Sequence, residues 1–228
     1  MIPEDARQEI KFVTNHFNYD RVIQWIKFNE YGFFQSYPDR LINNIYFDTY
    51  DYDLYAANIS GQSERIKIRF RWYGENQYPS SGCLEIKNRR NFFGWKNIYP
   101  VSNGAFNFDD NWRTIIKKIC NQVPREASEL LLSCQPVIIN RYKRSYFVSI
   151  DNKVRITVDQ NQKVFDQRYK CFPDLGLRPV SQDSIVIEAK FNRNDKNIAG
   201  NVLQDFPVRV SRNSKFMNSV DIVSGNRI

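Results

Sequence analysis

Within residues 64–74, charged and apolar residues alternate strictly from Arg65 to Trp72. The side chains of a β-strand point to opposite faces with a period of two residues. The segment is therefore predicted to be a strand that carries Arg65, Lys67, Arg69 and Arg71 on one face and apolar side chains on the other. Like charges this close repel one another unless anions lie among them. The pattern indicates either a half-buried strand whose basic face meets water or a surface that binds an anionic ligand.

The alternation recurs in a second form, in which glutamate and lysine share one face of a strand. Such units occur at Glu9 and Lys11, at Glu85 and Lys87, and at Glu188 and Lys190. Two further segments extend the pattern with Arg141 and Lys143, and with Arg155, Thr157 and Asp159. A face that only meets water would usually contain more Ser, Thr, Gln and Asn. The recurrence therefore favours a sheet whose charged face holds polyanions together with a cation.

Turn signals and hydrophobic periodicity divide the chain into more strands than helices. Strands are predicted at 7–13, 41–48, 64–74, 83–90, 94–101, 136–142, 145–151, 153–159 and 184–191. Helices are predicted at 19–29, 109–120, 125–134 and 213–223, with a helical turn near 52–55 and a loop at 168–183. The predicted fold is α+β: an eight-stranded antiparallel β-barrel with a charged lumen, helices packed outside and a C-terminal helix near one end of the tunnel. Residues 1–228 are expected to form a single domain.

The composition restricts the partners. The chain has 228 residues, of which 15% are aromatic, and its 33 Lys and Arg against 25 Asp and Glu give a net charge of +8. The aromatic content indicates an ordered protein, and the positive charge predicts an anionic partner. No apolar run is long enough to span a membrane and no signal peptide is recognisable, so a cytoplasmic location is expected.

Several kinds of site are excluded by residue types. The four cysteines are far apart and His16 is the only histidine, which argues against a zinc site and against a His-based catalytic triad. The chain contains neither a Gly-x-Gly-x-x-Gly motif nor a Gly-Lys-Ser/Thr loop. Phosphate groups would therefore be bound by side chains rather than by a glycine-rich loop.

Eight segments, in order along the chain, resemble one protein family. They are Arg7–Phe12, Tyr37–Thr49, Arg69–Gly74, Leu84–Lys87, Arg141–Phe147, Val154–Asp159, Glu188–Phe191 and Ser214–Phe216. Together they resemble the VTC (vacuolar transporter chaperone) polyphosphate polymerase domain, in the triphosphate tunnel metalloenzyme superfamily. The likeness covers nearly the whole chain and is most specific from Asn44 to Gly74. It implies an eight-stranded tunnel that transfers the γ-phosphate of ATP to a growing inorganic polyphosphate chain, with Mn²⁺ or Mg²⁺.

The resemblance also implies roles for individual residues. Those expected at the reacting phosphates are Lys11, Arg69, Arg71, Lys87, Arg141, Arg155 and Lys190. Further phosphate-binding residues are Lys67, Lys96, Lys143, Arg212, Ser214 and Lys215, and Glu188 is the implied metal ligand. Phosphoryl transfer depends on positioning and on neutralisation of charge by cations and metal, so this mixture of residues suits the reaction.

The chain departs from the family pattern at two places. Lys11 stands where related triphosphatases and cyclases have an acidic residue, and Arg212 replaces a lysine before Ser214 and Lys215. Several readings stay open: a tripolyphosphatase or NTPase of the same fold, or an inactive module that binds polyanions or, less favoured, nucleic acid. Glu9 and Glu85 are expected to pair with lysines, and Tyr46 and Trp72 to be core aromatics. The chain resembles a free-standing, bacterial-type domain, and its oligomeric state is left open.

Overall fold

The protein is described here from a computed structural model, which covers residues 8–91, 93–102, 106–107, 109–176 and 179–225. The strands of this part are β1 (Gln8–Asn15), β2 (Phe33–Asp48), β3 (Glu64–Tyr73), β4 (Gly82–Arg90), β5 (Phe93–Val101), β6 (Gln135–Ser149), β7 (Val154–Asp166), β8 (Val180–Gln182) and β9 (Ser184–Phe191). Its helices are α1 (Tyr19–Phe28), α2 (Asp53–Ile59), α3 (Trp112–Cys120), α4 (Arg125–Leu132), α5 (Lys196–Val202) and α6 (Lys215–Val223). None of these helices is both long and apolar enough to cross a membrane.

The strands form one nine-stranded sheet in the order β1-β9-β7-β6-β2-β3-β4-β5, with β8 paired to β7. The pairs β1–β9, β2–β3, β3–β4, β4–β5 and β7–β9 are antiparallel. Within the described residues no pairing joins β1 to β5, so the sheet is not closed. The α+β class and the large antiparallel sheet are thus confirmed, whereas the eight-stranded closed barrel is confirmed only in part.

Several predicted elements differ from the observed ones. The strands predicted at 136–142 and 145–151 are a single strand, β6, because the polar residues between them lie within a continuous ladder. Strand β2 begins at Phe33, well before the apolar pattern starts. Helix α3 begins at Trp112 rather than near residue 109, because the Asn111 side chain accepts a hydrogen bond from the Thr114 amide and caps the helix. Helix α5 and strand β8 were not predicted.

The chain divides into two compact units. The first unit contains residues up to 41, 142–162 and 181–214, and the second contains residues 42–141, 163–180 and those from 215 onward. The prediction of a single domain is not tested by this division. Each unit has its own hydrophobic core.

Each core lies where helices cover the apolar side of strands. In the second unit, Ile68 and Phe70 of β3 pack with Ile115 and Ile119 of α3. In the first unit, residues of β7 and β9 pack with Val22 and Ile26 of α1 and with Ala199 and Val202 of α5. Burial of each large apolar side chain contributes about 1.5–3 kcal/mol. The helices therefore leave the opposite, charged side of these strands for other contacts.

Candidate functional site

The register of β3 decides which side chains meet on the charged face of the second unit. Arg69 lies opposite Tyr46 of β2 and opposite Glu85 of β4. Arg71 lies opposite Asn44 of β2. Directly opposed residues of antiparallel strands share a face, so these five side chains lie together. We call Arg69, Arg71, Glu85 and Lys96 the Arg69 cluster.

Glu85 is the centre of the Arg69 cluster. Its Oε2 atom accepts hydrogen bonds from Nε and an Nη of Arg69 at 2.7 and 2.5 Å, and its Oε1 atom lies 3.1 Å from Nζ of Lys96 and 3.9 Å from an Nη of Arg71. The residue is only 4% exposed. Burial alone would raise its pKa, but Arg69, Arg71 and Lys96 outweigh that effect and lower the pKa of Glu85 to about 2. Glu85 is therefore an anion that holds three cations in place, as its expected pairing with lysine anticipated.

Arg71 is held by a neutral group as well as by charge. Its Nε donates to Oδ1 of Asn44 at 2.8 Å, and the residue is 8% exposed. The Asn44 Nδ2 atom, and both side-chain polar atoms of Asn140 on β6, are buried without a hydrogen-bond partner among the described residues. An unsatisfied buried polar group costs about 1–3 kcal/mol. These amides are groups that a bound polar ligand or water would satisfy.

Three lysines, one of which is Lys96 of the Arg69 cluster, form the next row on this face. Lys67 lies opposite Lys87, and Lys87 lies opposite Lys96. Like charges directly opposite each other on neighbouring strands destabilise a sheet. Burial lowers the pKa of Lys96, although Glu85 acts against this effect. The structure thus brings together five residues predicted at phosphates, which are Lys67, Arg69, Arg71, Lys87 and Lys96.

Arg141 is placed elsewhere. Its Nε donates to Oδ1 of Asn43 at 2.6 Å, and Asn43 Nδ2 donates to the carbonyl oxygen of Gly74. Asn43 and Asn44 are consecutive in β2, so they point to opposite faces, and Asn44 is the one that contacts Arg71. Burial lowers the pKa of Arg141. The structure therefore does not bring Arg141 to the Arg69 cluster, and its predicted role at a phosphate stays a prediction.

A second set of charged residues lies on β1, β7 and β9 of the first unit. Lys11 lies opposite Glu188, Glu9 lies opposite Lys190, and Glu188 lies opposite Thr157. Lys11 Nζ is 2.9 Å from Glu9 and 3.6 Å from Glu188, while Lys190 Nζ is 3.5 Å from Glu9 and 3.0 Å from Glu188. The two carboxylates and two ammonium groups thus alternate around a square. We call these four residues, with Arg144 and Asp159, the Glu188 cluster.

Arg144 is the residue that the sequence analysis missed. Its Nε and an Nη donate to Asp159 at 2.5 and 2.6 Å, and an Nη lies 3.5 Å from Glu188. Its guanidinium also lies 5.4 Å from the ring centroid of Tyr142. Burial opposes its charge, but Asp159, Tyr142 and Glu188 raise the pKa of Arg144. The signal was available: side chains alternate along a strand, so Arg144 lies on the opposite face from Arg141 and Lys143.

The other predicted residues of the first unit lie at the margin of this cluster or away from it. Arg155 is exposed and lies opposite Lys190. Lys143 is on the exposed surface, where its Nζ is 2.9 Å from Asp39 and the hydrogen bond to Asp39 raises the pKa of Lys143. The structure therefore does not place Lys143 with the Glu188 cluster.

The segment that precedes α6 lies along β1. The Ser211 amide donates to the carbonyl oxygen of Lys11 at 2.8 Å, and Lys11 Nζ donates to the carbonyl oxygen of Asn213 at 3.0 Å. Arg212 is exposed and Ser214 is half-buried. Lys11 already contacts Glu9, Glu188 and Asn213. A phosphate contact by Lys11 stays a prediction.

Helix α6 begins at Lys215, which is half-buried, and it packs against the charged face of the second unit. Phe216 stacks on Tyr46 with ring centroids 5.2 Å apart, and Tyr46 Oη accepts a hydrogen bond from Arg69 at 3.3 Å. Tyr55 Oη donates to Asp221, and the pKa of Tyr55 is raised to about 12 by burial and by this carboxylate. Tyr46 is thus a core aromatic, as predicted, and it connects α6 to Arg69.

The Glu188 cluster contains oxygen groups that a divalent cation could use. Among the described residues, no group of three or more His, Cys, Asp or Glu is arranged to hold a metal. Glu188 is 6% exposed. The Thr157 hydroxyl lies opposite it and is buried, with no hydrogen-bond partner among the residues that the structure describes. Mg²⁺ in enzymes is often bound by one or two carboxylates, with water and phosphate oxygens completing its shell. The residues present fit such a site, and they do not fit a site made entirely of protein ligands.

Comparison with known proteins gives a family and a fold. The sequence pattern of the VTC domain matches residues 6–224. A candidate adenylate cyclase from Bacillus halodurans is 13% identical, with a TM-score of 0.54 and coverage of 93% of this chain and 97% of its own. A candidate adenylyl cyclase from Hippeastrum, described as having a dominant triphosphatase activity, is 14% identical, with a TM-score of 0.52 and 96% coverage of both chains. A candidate adenylate cyclase from Vibrio parahaemolyticus is 12% identical, with a TM-score of 0.51 and coverage of 96% and 98%. No curated protein sequence matches the chain.

Proposed function

Because the chain belongs to the VTC domain family, we propose that it is a metal-dependent polyphosphate polymerase that transfers the γ-phosphate of ATP to a growing inorganic polyphosphate chain. The resemblance inferred from the sequence is confirmed at the level of the family. The candidate cyclases with the same fold, one of them described as a triphosphatase, support an enzyme that acts on triphosphates or nucleotides. The polymerase reaction is the more specific part of this proposal.

The row formed by Lys67, Lys87 and Lys96 carries the proposal. It lies one step along β3 from Arg69, on the side away from Arg71. Two residues of a strand span about 7 Å, so the row provides binding positions next to those that Arg69 and Arg71 offer to a triphosphate. A linear polyanion longer than a triphosphate would offset the repulsion within the row. Two unit charges about 6 Å apart cost roughly 3 kcal/mol at an effective dielectric constant near 20.

The transfer itself needs no nucleophilic side chain. A terminal oxygen of the polyphosphate chain attacks the γ-phosphorus of ATP, the new P–O bond forms, and the bond to the β–γ bridging oxygen breaks so that ADP leaves. Arg69 and Arg71 can both donate N–H groups to the transferred phosphate, because they lie two residues apart on one face. Glu85 keeps Arg69 and Lys96 in position. A closed tunnel with a charged lumen belongs to this proposal, because an enclosed site would exclude water from the transfer.

Mn²⁺ or Mg²⁺ is the proposed cofactor, and Glu188 is the residue that would hold it. Such a cation, when bound, neutralises the negative charge that develops on phosphate oxygens. Lys11, Lys190 and Arg144 lie within 3.6 Å of Glu188 and orient its carboxylate. The unpartnered Thr157 hydroxyl is a further oxygen donor next to it.

Hydrolysis of triphosphates is the second candidate function. It is favoured by the structural likeness to the Hippeastrum protein, which is described as a triphosphatase. It is also consistent with the Arg69 cluster, which is sufficient in size and charge for a triphosphate alone. The two candidates differ in whether the transferred phosphate goes to a polyphosphate chain or to water.

The deciding experiment is incubation of the purified chain with ATP and Mn²⁺ or Mg²⁺, followed by gel staining for polyphosphate and by assays of ADP and inorganic phosphate. Long polyphosphate with a matching amount of ADP is the expected result. Inorganic phosphate and ADP without polymer would replace the proposal by the triphosphatase. An absence of turnover, together with tight binding of an oligonucleotide, would indicate a binding module instead.

A further inference from the structure

Two arginines lie directly opposite each other at the end of the charged face of the second unit. Arg65 of β3 pairs in register with Arg89 of β4. The next row along the same face contains Lys67, Lys87 and Lys96. We call Arg65 and Arg89 the arginine row; its position on β5 is occupied by Gly94. Every charged residue in these two consecutive rows is therefore a cation.

The glutamates of β3 and β4 contact other cations than Arg65 and Arg89. Glu64 lies opposite Arg90, and both point to the other face, where Glu64 Oε1 is 2.8 Å from Nε of Arg90. Glu85 shares the face, but its oxygens contact Arg69, Arg71 and Lys96. The arginine row therefore adds positive charge to a face on which the cluster carboxylate is already surrounded by cations.

Both arginines are positioned by the backbone and have further donors. An Nη of Arg65 donates to the carbonyl oxygen of Gln62 at 2.5 Å, and Nε of Arg89 donates to the carbonyl oxygen of Asn91 at 3.0 Å. A guanidinium has five N–H groups in a planar fork, so each arginine can donate to a phosphate as well. Burial lowers the pKa of Arg65, and the positive charge of Arg89 lowers it further.

The charged face from Arg71 to Arg65 is longer than a triphosphate requires. From Arg71 to Arg65 the strand spans six residues, or about 20 Å. We infer that Arg65 and Arg89 form a distal subsite that binds phosphate groups of long, linear polyphosphate, beyond the phosphates held at the Arg69 cluster. This inference rests on the proposed function for the identity of the polymer. It gives the site a preference for long chains over tripolyphosphate.

A nucleic acid is the less favoured occupant. Proteins that bind single strands without sequence preference stack bases on aromatic side chains. Neither row contains an aromatic residue, and Trp95, which lies opposite Asn88, points to the other face of the sheet. The rows offer charge and hydrogen-bond donors without a stacking surface, which suits inorganic phosphate groups.

The test measures the affinity of the full chain for tripolyphosphate, for long-chain polyphosphate and for a single-stranded oligonucleotide, over a series of salt concentrations. Two variants are compared with the unaltered protein: the double variant Arg65→Gln/Arg89→Gln and the single variant Arg89→Gln. Arg90→Gln is the matched control for Arg89→Gln, because it removes the same charge from the adjacent position on the other face. Thermal unfolding of each variant checks that the fold is kept.

We expect the double variant to bind long polyphosphate about tenfold more weakly, as the loss of charge-assisted contacts predicts. The salt dependence of its log affinity should fall by about one for each lost contact. Its affinity for tripolyphosphate should be nearly unchanged, and Arg90→Gln should change neither affinity.

Equal losses for tripolyphosphate and long polyphosphate, or equal effects of Arg89→Gln and Arg90→Gln, would overturn the subsite. Two results together would assign the rows to nucleic acid and also overturn the subsite. The unaltered protein would bind the oligonucleotide more tightly than long polyphosphate, and the double variant would lose as much affinity for the oligonucleotide as for long polyphosphate. The proposed function is judged separately by polymer formation from ATP. A protein that makes no polymer but shows the selective loss supports the subsite and refutes the polymerase.

Discussion

Replacement of Glu85 by glutamine removes a buried anion from contact with three cations while keeping the size of the side chain. Arg69, Arg71 and Lys96 would then lie close together without the carboxylate that offsets their charges. Removing one partner of a buried ion pair is strongly destabilising, because it leaves uncompensated charge in the interior. We therefore expect Glu85→Gln to lower the free energy of unfolding and to increase the affinity of the cluster for anions.

The magnitude follows from the pKa of Glu85. Its ordinary value is 4.5, and the three cations lower it to about 2 despite burial. At roughly 1.4 kcal/mol per pH unit, this difference corresponds to about 3 kcal/mol of stability. The pKa is lower in the folded protein than in the unfolded chain. The stabilisation is therefore complete above about pH 4.5 and is lost as the pH falls toward 2.

Urea unfolding, followed by the fluorescence of the four tryptophans, can measure this effect from pH 7 down to pH 3. Glu85→Gln should be less stable than the unaltered protein by about 3 kcal/mol at pH 7, and the gap should narrow as the pH falls below about 4.5. Tripolyphosphate should stabilise the variant more than the unaltered protein. Glu64→Gln is the control, because its ion pair with Arg90 is exposed and should contribute at most about 1 kcal/mol.

Two results would refute this reasoning. A Glu85→Gln protein as stable at pH 7 as the unaltered one would mean that the carboxylate does not offset the charges of its neighbours. A gap that stays constant down to pH 3 would mean that the loss comes from packing and not from the ionised carboxylate.

Three further predictions concern the catalytic roles and the first unit. Glu188→Gln should abolish turnover at saturating Mn²⁺ or Mg²⁺ in a protein that still folds, with a lower thermal unfolding temperature because Lys11, Lys190 and Arg144 lose a shared carboxylate. Substantial activity would transfer the metal role to another residue. Arg71→Ala should lower polymer synthesis by orders of magnitude in rate assays at any salt concentration. Lys117 is exposed on α3, so Lys117→Ala should have only a small effect, which fades near about 0.15 M salt. Equal, salt-sensitive losses in the two variants would favour a diffuse polyanion-binding surface. Asp159→Asn should lower the free energy of unfolding measured in urea by about 3–5 kcal/mol, because it removes the carboxylate that is closest to the buried Arg144 guanidinium. A loss below about 1 kcal/mol would show that Glu188 is sufficient to compensate Arg144.

The sequence by itself determined which side chains share a face within each strand. The period of two in residues 64–74 assigned Arg69 and Arg71 to one face and Phe70 to the other, and the structure has this arrangement. The same periodicity identified the Glu-x-Lys units of β1, β4 and β9. Segment order and residue identity were also sufficient for the family, which is confirmed. These properties are local, since they depend on backbone geometry and on residues a few positions apart.

Only the tertiary structure decided which strands are neighbours and in what register. The contact of Arg69 with Glu85 depends on a one-to-one alignment of β3 with β4, and a shift by one residue would turn one set of side chains to the other face. The different surroundings of Arg141 and Arg144 were decided in the same way. Both occur in one predicted charged segment, but the pairing of strands places Arg144 against Asp159 and Arg141 against Asn43. Register is fixed by burial and hydrogen bonding summed over the whole sheet, and no single segment of the sequence contains that information.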